Sequence, residues 1–133
     1  MKKIKKIAIT AIISCVLLMT MSLTAFAVSA NFAGTTPAHQ KDTEVSTVRK
    51  DNSSIHYFTI NVTLIQLGVS KICAWTENTA GYNFSDPARQ VGVGGSTVFY
   101  SSTPSHGTNV VLNLSNPIDM SVGVGAMGIW DPH

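Results

Sequence analysis

Apolar and polar residues alternate strictly along residues 55–65 of the chain. Apolar side chains take the even positions and hydroxyl or amide side chains the odd ones: Phe58, Ile60, Val62 and Leu64 against Thr59, Asn61 and Thr63. Successive side chains on a β-strand point to opposite faces, whereas the same spacing on a helix scatters them around the axis. The pattern therefore predicts a strand whose even-numbered row faces a core.

Further short runs of β-branched and aromatic residues predict the other strands. They cover 44–49, 69–77, 82–84, 91–101, 109–114 and 119–130, with Gly, Asn, Asp, Ser and Pro between them. Regularly spaced short strands without an amphipathic helix are typical of an antiparallel β-sandwich. We expect an all-β domain of roughly seven strands over 43–133, in which 44–49 and 55–65 form a hairpin across residues 50–53.

The first part of the chain has the organisation of a secretory signal peptide. Lysines lie at positions 2, 3, 5 and 6, an apolar run follows over 7–21, and Ala25-Phe26-Ala27 forms a small-x-small cleavage site. We predict a signal-peptide helix over 1–27, with a cut after Ala30 as the alternative, and a flexible arm over 28–42. An uncleaved anchor and a lipoprotein acylated at Cys15 are weaker alternatives, because the cleavage site is present and the residues after Cys15 stay apolar.

Cleavage after Ala27 changes the charge of the chain. Five Lys and Arg residues then remain against seven Asp and Glu residues, so the secreted form has a net charge of −2. This balance argues against a nucleic-acid partner and against attraction to anionic membranes. Cys73 becomes the only cysteine, so no internal disulfide can form and the core alone must stabilise the domain.

No pattern in the sequence indicates catalysis, a metal or a cofactor. The residues at 123–128 match the glycine spacing of a dinucleotide loop, but no helix follows them. The four histidines are isolated, without the spacing of zinc ligands. Cys73 shares its strand parity with Trp75, which predicts a buried, unreactive thiol. We therefore expect a protein that is not an enzyme.

The aromatic residues are the candidates for a binding surface. Two adjacent pairs, Tyr57-Phe58 and Phe99-Tyr100, must divide between opposite faces of their strands. Phe58 is expected in the core, together with Trp75 or Phe99. The predicted surface aromatics, each able to contact carbohydrate or protein, are Tyr57, Tyr82, Tyr100 and Trp130.

Two short motifs carry a resemblance to a known group of proteins. They are the run Arg49-Lys50-Asp51-Asn52-Ser53-Ser54 followed by Tyr57, and, after Trp75, the closing Gly128-Ile129-Trp130-Asp131-Pro132. The sequence resembles small secreted proteins of Gram-positive bacteria that have no assigned function. The resemblance implies a leader, a mature domain of about a hundred residues and no catalytic residues.

These observations predict a secreted, non-catalytic β-sandwich that binds outside the cell. Its expected partner is a cell-wall, polysaccharide or protein ligand. A secreted antimicrobial or membrane-active protein is the alternative, because the glycine-rich strands at 91–101 and 119–130 could insert into a bilayer. A small hydrolase using Cys73 and His106 comes third.

Overall fold

The fold is all-β over the part of the chain that the computed structural model describes, residues 29–133. The strands are β1 (Ala30–Thr36), β2 (Asp42–Arg49), β3 (Tyr57–Ile65), β4 (Lys71–Asn78), β5 (Gln90–Gly92), β6 (Gly94–Phe99), β7 (Asn109–Ser115) and β8 (Val124–Asp131). The signal peptide predicted for 1–27 lies outside the described residues. From residue 29 onward, the structure has no helix of the length and apolarity needed to cross a membrane.

The strands form two four-stranded antiparallel sheets. The first sheet has the order β1-β8-β3-β6, and the second has the order β2-β7-β4-β5. Their inner faces enclose one apolar cluster that includes Phe58, Ile60, Leu112, Leu114 and Trp130. The prediction of an antiparallel sandwich is confirmed, with eight strands in place of roughly seven.

The alternating pattern of β3 places three of its four even-numbered residues in the core. Phe58 is fully buried, and Ile60 and Val62 are 1% exposed. Leu64 is 41% exposed, so the prediction that it belongs to this row is wrong. The pairing of β3 with β8 shifts register between Val62 and Leu64. An extra residue in one strand reverses the side that later side chains face, which turns Leu64 outward.

The predicted flexible arm contains a strand. β1 pairs with β8 along its whole length, from Ala30 opposite Trp130 to Thr36 opposite Val124. Phe32 is 3% exposed and belongs to the core cluster. The Thr36 hydroxyl is buried, 2.6 Å from Asn116 Oδ1, and it accepts the Val124 amide at 3.1 Å. The inward-facing Phe32 and Thr36 therefore anchor β1, although the small residues between them show little alternation of apolar and polar side chains.

The predicted hairpin between the second and third strands is also wrong. β2 belongs to the second sheet and pairs with β7, while β3 lies in the first sheet between β8 and β6. The turn residues at 50–53 therefore carry the chain from one sheet to the other. Alternation of apolar and polar residues identifies a strand, but a polar turn after it does not show whether the next strand belongs to the same sheet.

Two predicted strands differ in extent from the observed ones. The segment 91–101 divides into β5 in the second sheet and β6 in the first, and Gly94 at the crossing has a φ of 109°. Glycine adopts such a backbone without steric cost, which allows the sharp change of sheet. The segment 82–84 forms only an isolated bridge between Asn83 and Glu77.

Candidate functional site

The outer face of the first sheet combines aromatic, hydroxyl, amide and aliphatic side chains, and we call it the exposed face. Cross-strand pairs define its rows: Tyr57 with Phe99, Thr59 with Thr97 and Asp131, Asn61 with Gly95 and Ile129, and Met127 with Ala33 and Leu64. These outward positions include no lysine or arginine. The face is therefore suited to an uncharged partner rather than to a phosphate backbone or an anionic membrane.

An aromatic cluster lies at one end of the exposed face. Phe99 is 70% exposed, and its ring meets Tyr57 edge-to-face with the centroids 5.9 Å apart. The imidazole of His133 also meets the Tyr57 ring edge-to-face, with a centroid distance of 5.3 Å. Edge-to-face pairs of this kind hold aromatic rings in defined orientations. The cluster thus presents a fixed aromatic edge to solvent.

Beside the aromatic cluster, three polar side chains form a connected series. Thr59 Oγ1 lies 3.1 Å from His133 Nε2, and His133 Nδ1 lies 3.6 Å from Asp131 Oδ1. That oxygen of Asp131 also accepts the main-chain amide of His133 at 2.7 Å. A hydroxyl, an imidazole and a carboxylate in this order are the elements of a hydrolytic triad.

The geometry of these three residues favours orientation of the imidazole over nucleophilic catalysis. The 3.6 Å separation of His133 and Asp131 exceeds hydrogen-bond length. Thr59 lies within β3 between two paired strands, where main-chain amides are used in the ladders and are not free to stabilise an oxyanion. The series fixes the ring of His133 against Tyr57.

An aliphatic stripe covers the other half of the exposed face. Ile129 and Met127 of β8 are 44% and 43% exposed, and Leu64 lies beside them. Open depressions of about 320 to 360 Å³ run between these side chains and their neighbours. Their volumes fall at the lower end of the range for small-ligand sites. One of them lies beside Asn61, Thr97 and Ile129, where aliphatic and polar contacts are both available.

A buried lysine fixes the segment that contains His133. Lys50 is fully buried, and its ammonium donates to the main-chain oxygens of Ile55 at 2.9 Å, Pro132 at 3.0 Å and His133 at 2.7 Å. The ammonium also lies 4.9 Å from the centre of the Tyr100 ring, whose hydroxyl donates to Pro132 at 2.8 Å. The motif around Lys50 and the closing Gly-x-Trp-x-Pro segment therefore meet in space.

Burial has opposite effects on the pKa values of these two side chains. Desolvation lowers the pKa of Lys50, and the nearby charges of Asp51 and Asp131 oppose that shift. Desolvation raises the pKa of Tyr100, and the charge of Asp131 acts in the same direction. Three main-chain acceptors use the three donors of the ammonium, so the lysine supports structure and does not face a ligand.

The four predicted surface aromatics occupy three different environments. Tyr57 lies on the exposed face, and Tyr82 is 72% exposed in the loop after β4, near the second sheet. Tyr100 and Trp130 are 9% and 1% exposed, so their expected place on the surface is corrected. Both pack against Phe58, with centroid distances of 5.9 and 6.2 Å. The structure thus does not bring the four together.

The exposed face contains residues that local sequence pattern does not identify. The sequence pattern left Trp75 or Phe99 as the aromatic that joins Phe58 in the core, and it gave no indication for Ile129 and Met127. Alternation along β6 buries Val98 and exposes Phe99, and Tyr100, directly after the strand, is buried again. Polarity suggested that tyrosine would be the outward member of the pair. The Tyr100 hydroxyl instead finds an internal partner in Pro132.

The residues considered for catalysis and metal binding lie apart from this face. Cys73 is buried, as predicted, and burial raises the pKa of its thiol; a hydrogen bond with Ser115 opposes the shift and the charge of Asp86 adds to it. A raised pKa keeps the thiol protonated, the opposite of an activated nucleophile. His106 is exposed in the loop before β7. Over residues 29–133, no group of three metal-ligating side chains is present.

Comparison with protein-family models, with curated proteins and with solved structures found no match.

Proposed function

We propose that the chain is a secreted, non-catalytic β-sandwich module that binds an uncharged polysaccharide of the cell exterior through the exposed face. The observation that carries the proposal is the composition of that face. An exposed aromatic pair, Tyr57 and Phe99, adjoins rows of threonine and asparagine, with no lysine or arginine at the outward positions. Aromatic rings offer apolar contact to sugar rings, and hydroxyl and amide groups pair with sugar hydroxyls.

The arrangement of the rows supports an extended ligand over a small one. Residues two apart on a strand are about 7 Å apart, so the aromatic, polar and aliphatic rows succeed one another at that spacing. The depressions along them are open rather than enclosed. A chain of sugar units lying across the strands would meet several rows at once. The experiment must distinguish a polysaccharide ligand from a protein ligand.

Co-sedimentation of residues 28–133 with insoluble uncharged polysaccharides such as chitin and cellulose tests the proposal. Phe99→Ser removes an aromatic ring from the exposed face, where it contributes little to the core. Tyr82→Ser is the matched control, because Tyr82 is equally exposed, at 72% against 70%, and lies elsewhere. We expect Phe99→Ser to weaken binding about tenfold, the effect of losing roughly 1.4 kcal/mol of aromatic contact, and Tyr82→Ser to bind like the wild type.

Two results would contradict this function. One is the absence of binding to any insoluble polysaccharide together with capture of a protein ligand that depends on Phe99. The other is equal loss of binding in the Phe99 and Tyr82 variants, which would place the ligand off the exposed face.

A further inference from the structure

One edge of the first sheet is open to pairing with another strand. β6 pairs with β3 on one side, and among residues 29–133 no strand pairs with its other side. Gly95 and Thr97 are exposed along it, and Phe99 is 70% exposed. We call residues 95–99, on the side away from β3, the open edge. An unpaired edge of this kind presents main-chain donors and acceptors to a further strand.

Main-chain hydrogen bonds at the end of β6 show which residues direct their polar groups outward. The amide of Tyr100 donates to the His56 oxygen at 2.9 Å, on the side of β3. The amide of Ser101 donates to the Phe84 oxygen at 2.8 Å, on the opposite side, which closes the edge there. Successive residues of an antiparallel strand turn their main-chain groups to alternate sides. The residues whose amide and carbonyl point away from β3 are therefore Gly95, Thr97 and Phe99.

The other three sheet edges have features that prevent strand pairing. β1 is covered by β2, whose side chain of Val45, at the bulge, packs against Gly34. β2 contains this bulge and the charged residues Asp42, Glu44 and Arg49. β5 has only three residues. Cover, bulges, charges and short length are the usual protection of edges. β6 has six residues that pair with β3 without a bulge, and residues 90–101 contain no charge.

The open edge is complementary to itself when two copies run antiparallel. If Thr97 lies opposite Thr97 of the second copy, Gly95 of each copy lies opposite Phe99 of the other. The three residues with outward main-chain groups then all form hydrogen-bonded pairs, with two bonds in each pair. A shift of the register by two residues would leave only two such pairs within the open edge. An aromatic residue opposite a glycine and a pair of threonines are also favourable side-chain neighbours across strands.

We propose that two copies of the chain associate through their open edges, with Thr97 on the two-fold axis, so that their first sheets join into one continuous sheet. The interface is isologous and closes after two copies. Its lack of charge supports a second copy as the occupant, because a charged residue on the axis would lie opposite the same charge. A five-residue edge is about 17 Å long and buries less area than a permanent dimer needs, so the association is weak and depends on concentration.

Association through this edge extends the exposed face. The row that contains Asp131, Thr59 and Thr97 continues across the axis into the same row of the second copy. An extended ligand could then contact the rows of both copies. The association itself requires no ligand, so it is tested separately from the proposed function.

Sedimentation velocity of residues 28–133, between about 10 µM and 1 mM, tests the proposal. We expect the mass to rise with concentration towards twice that of the monomer. Thr97→Lys should weaken the dimer about tenfold, because it removes the threonine pair and places two ammonium groups opposite each other. Asn31→Lys is the matched control, since it adds the same charge to an exposed residue of β1, at the opposite edge of the same sheet, and should associate like the wild type.

A mixture of two variants tests the register. Thr97→Lys and Thr97→Glu should each associate poorly alone, whereas an equal mixture of the two should form a heterodimer at least as readily as the wild type. This recovery requires that the two residues at position 97 lie opposite each other. Urea unfolding of each variant shows that the change acts on association and not on the fold.

Three results would overturn the proposal. One is a wild-type chain that stays monomeric at about 1 mM, whether the open edge is then unpaired or binds an extended segment of another protein. Another is a dimer that Thr97→Lys and Asn31→Lys weaken equally. The third is a mixture of the lysine and glutamate variants that stays monomeric where the wild type is dimeric.

Discussion

Replacement of Lys50 by methionine perturbs the contact that joins the β2–β3 connection to the end of the chain. The ammonium of Lys50 supplies one donor to each of three main-chain oxygens, those of Ile55, Pro132 and His133, at 2.7 to 3.0 Å. Methionine retains an unbranched apolar stem of similar length and removes the charge and all three donors. The change therefore isolates the hydrogen bonds from the packing of the stem.

The expected loss of stability comes from the three main-chain oxygens that lose their hydrogen-bond donor. A buried acceptor that loses its partner costs about 1 to 3 kcal/mol. The bond to the Pro132 oxygen is buried, and those to the oxygens of Ile55 and His133 are partly buried, so water replaces part of what the latter two lose. Relief from burying a positive charge offsets part of this cost, since desolvation already lowers the pKa of Lys50. We expect a net loss of about 2 to 4 kcal/mol, a large part of the stability of a domain of this size.

Urea unfolding of residues 28–133, followed by far-ultraviolet circular dichroism, measures this loss. The midpoint should fall by roughly 1 to 2 M, and the thermal midpoint by about 10 °C or more. Lys71→Met is the control, because Lys71 is exposed at the start of β4 and should change stability by less than about 0.5 kcal/mol. If Lys50→Met unfolds at the same urea concentration as Lys71→Met, the reasoning about the buried ammonium is refuted.

Three further predictions use the same unfolding assay. Gly128→Ala should lower the free energy of unfolding by about 1 to 3 kcal/mol, because its Cβ would collide with the Asn61 carbonyl oxygen. Gly95→Ala should leave it unchanged, because a Cβ at that position meets open space. Phe32→Ala should lower the free energy of unfolding by about 3 to 5 kcal/mol, because Phe32 is buried, and Asn31→Ala should leave it almost unchanged, because Asn31 is exposed. Equal effects would show that β1 is not packed against the core. Burial raises the pKa of Tyr100 above its value in the unfolded chain, so ionisation of the phenol favours unfolding. The resulting stabilisation is complete below pH 10 and decreases as the pH rises further. That loss, about 1.4 kcal/mol per pH unit, should be absent in Tyr100→Phe.

Local pattern was sufficient to predict the strands whose inward residues are large and apolar. The row from Phe58 to Val62 identified β3 and its buried side, and runs rich in valine and leucine identified β7. β1 was missed because Ala33 and Gly34 weaken its alternation and because its docking depends on β8, more than ninety residues later at the Phe32–Gly128 pair. Pairings between distant segments are not visible in local periodicity.

The same limit applies to the functional surface. Lysine is rarely buried, so nothing around Lys50 predicted a site that depends on oxygens from Pro132 and His133. Phe99 and Ile129 become part of one face only through the pairing of β6 and β8 with β3. The sequence could show that one member of the pair Phe99-Tyr100 lies outside, but not which one, because the internal partner of the tyrosine hydroxyl is Pro132, which follows β8 about thirty residues later.

The most direct test of the proposed binding is the nuclear magnetic resonance spectrum of ¹⁵N-labelled residues 28–133 during titration with soluble oligosaccharide fragments of uncharged polysaccharides. Binding through the exposed face predicts that the largest shift changes fall on Tyr57, Thr59, Phe99 and Ile129. Shift changes confined to the loops, or centred on Trp75 and Asn113 of the second sheet, would contradict the account.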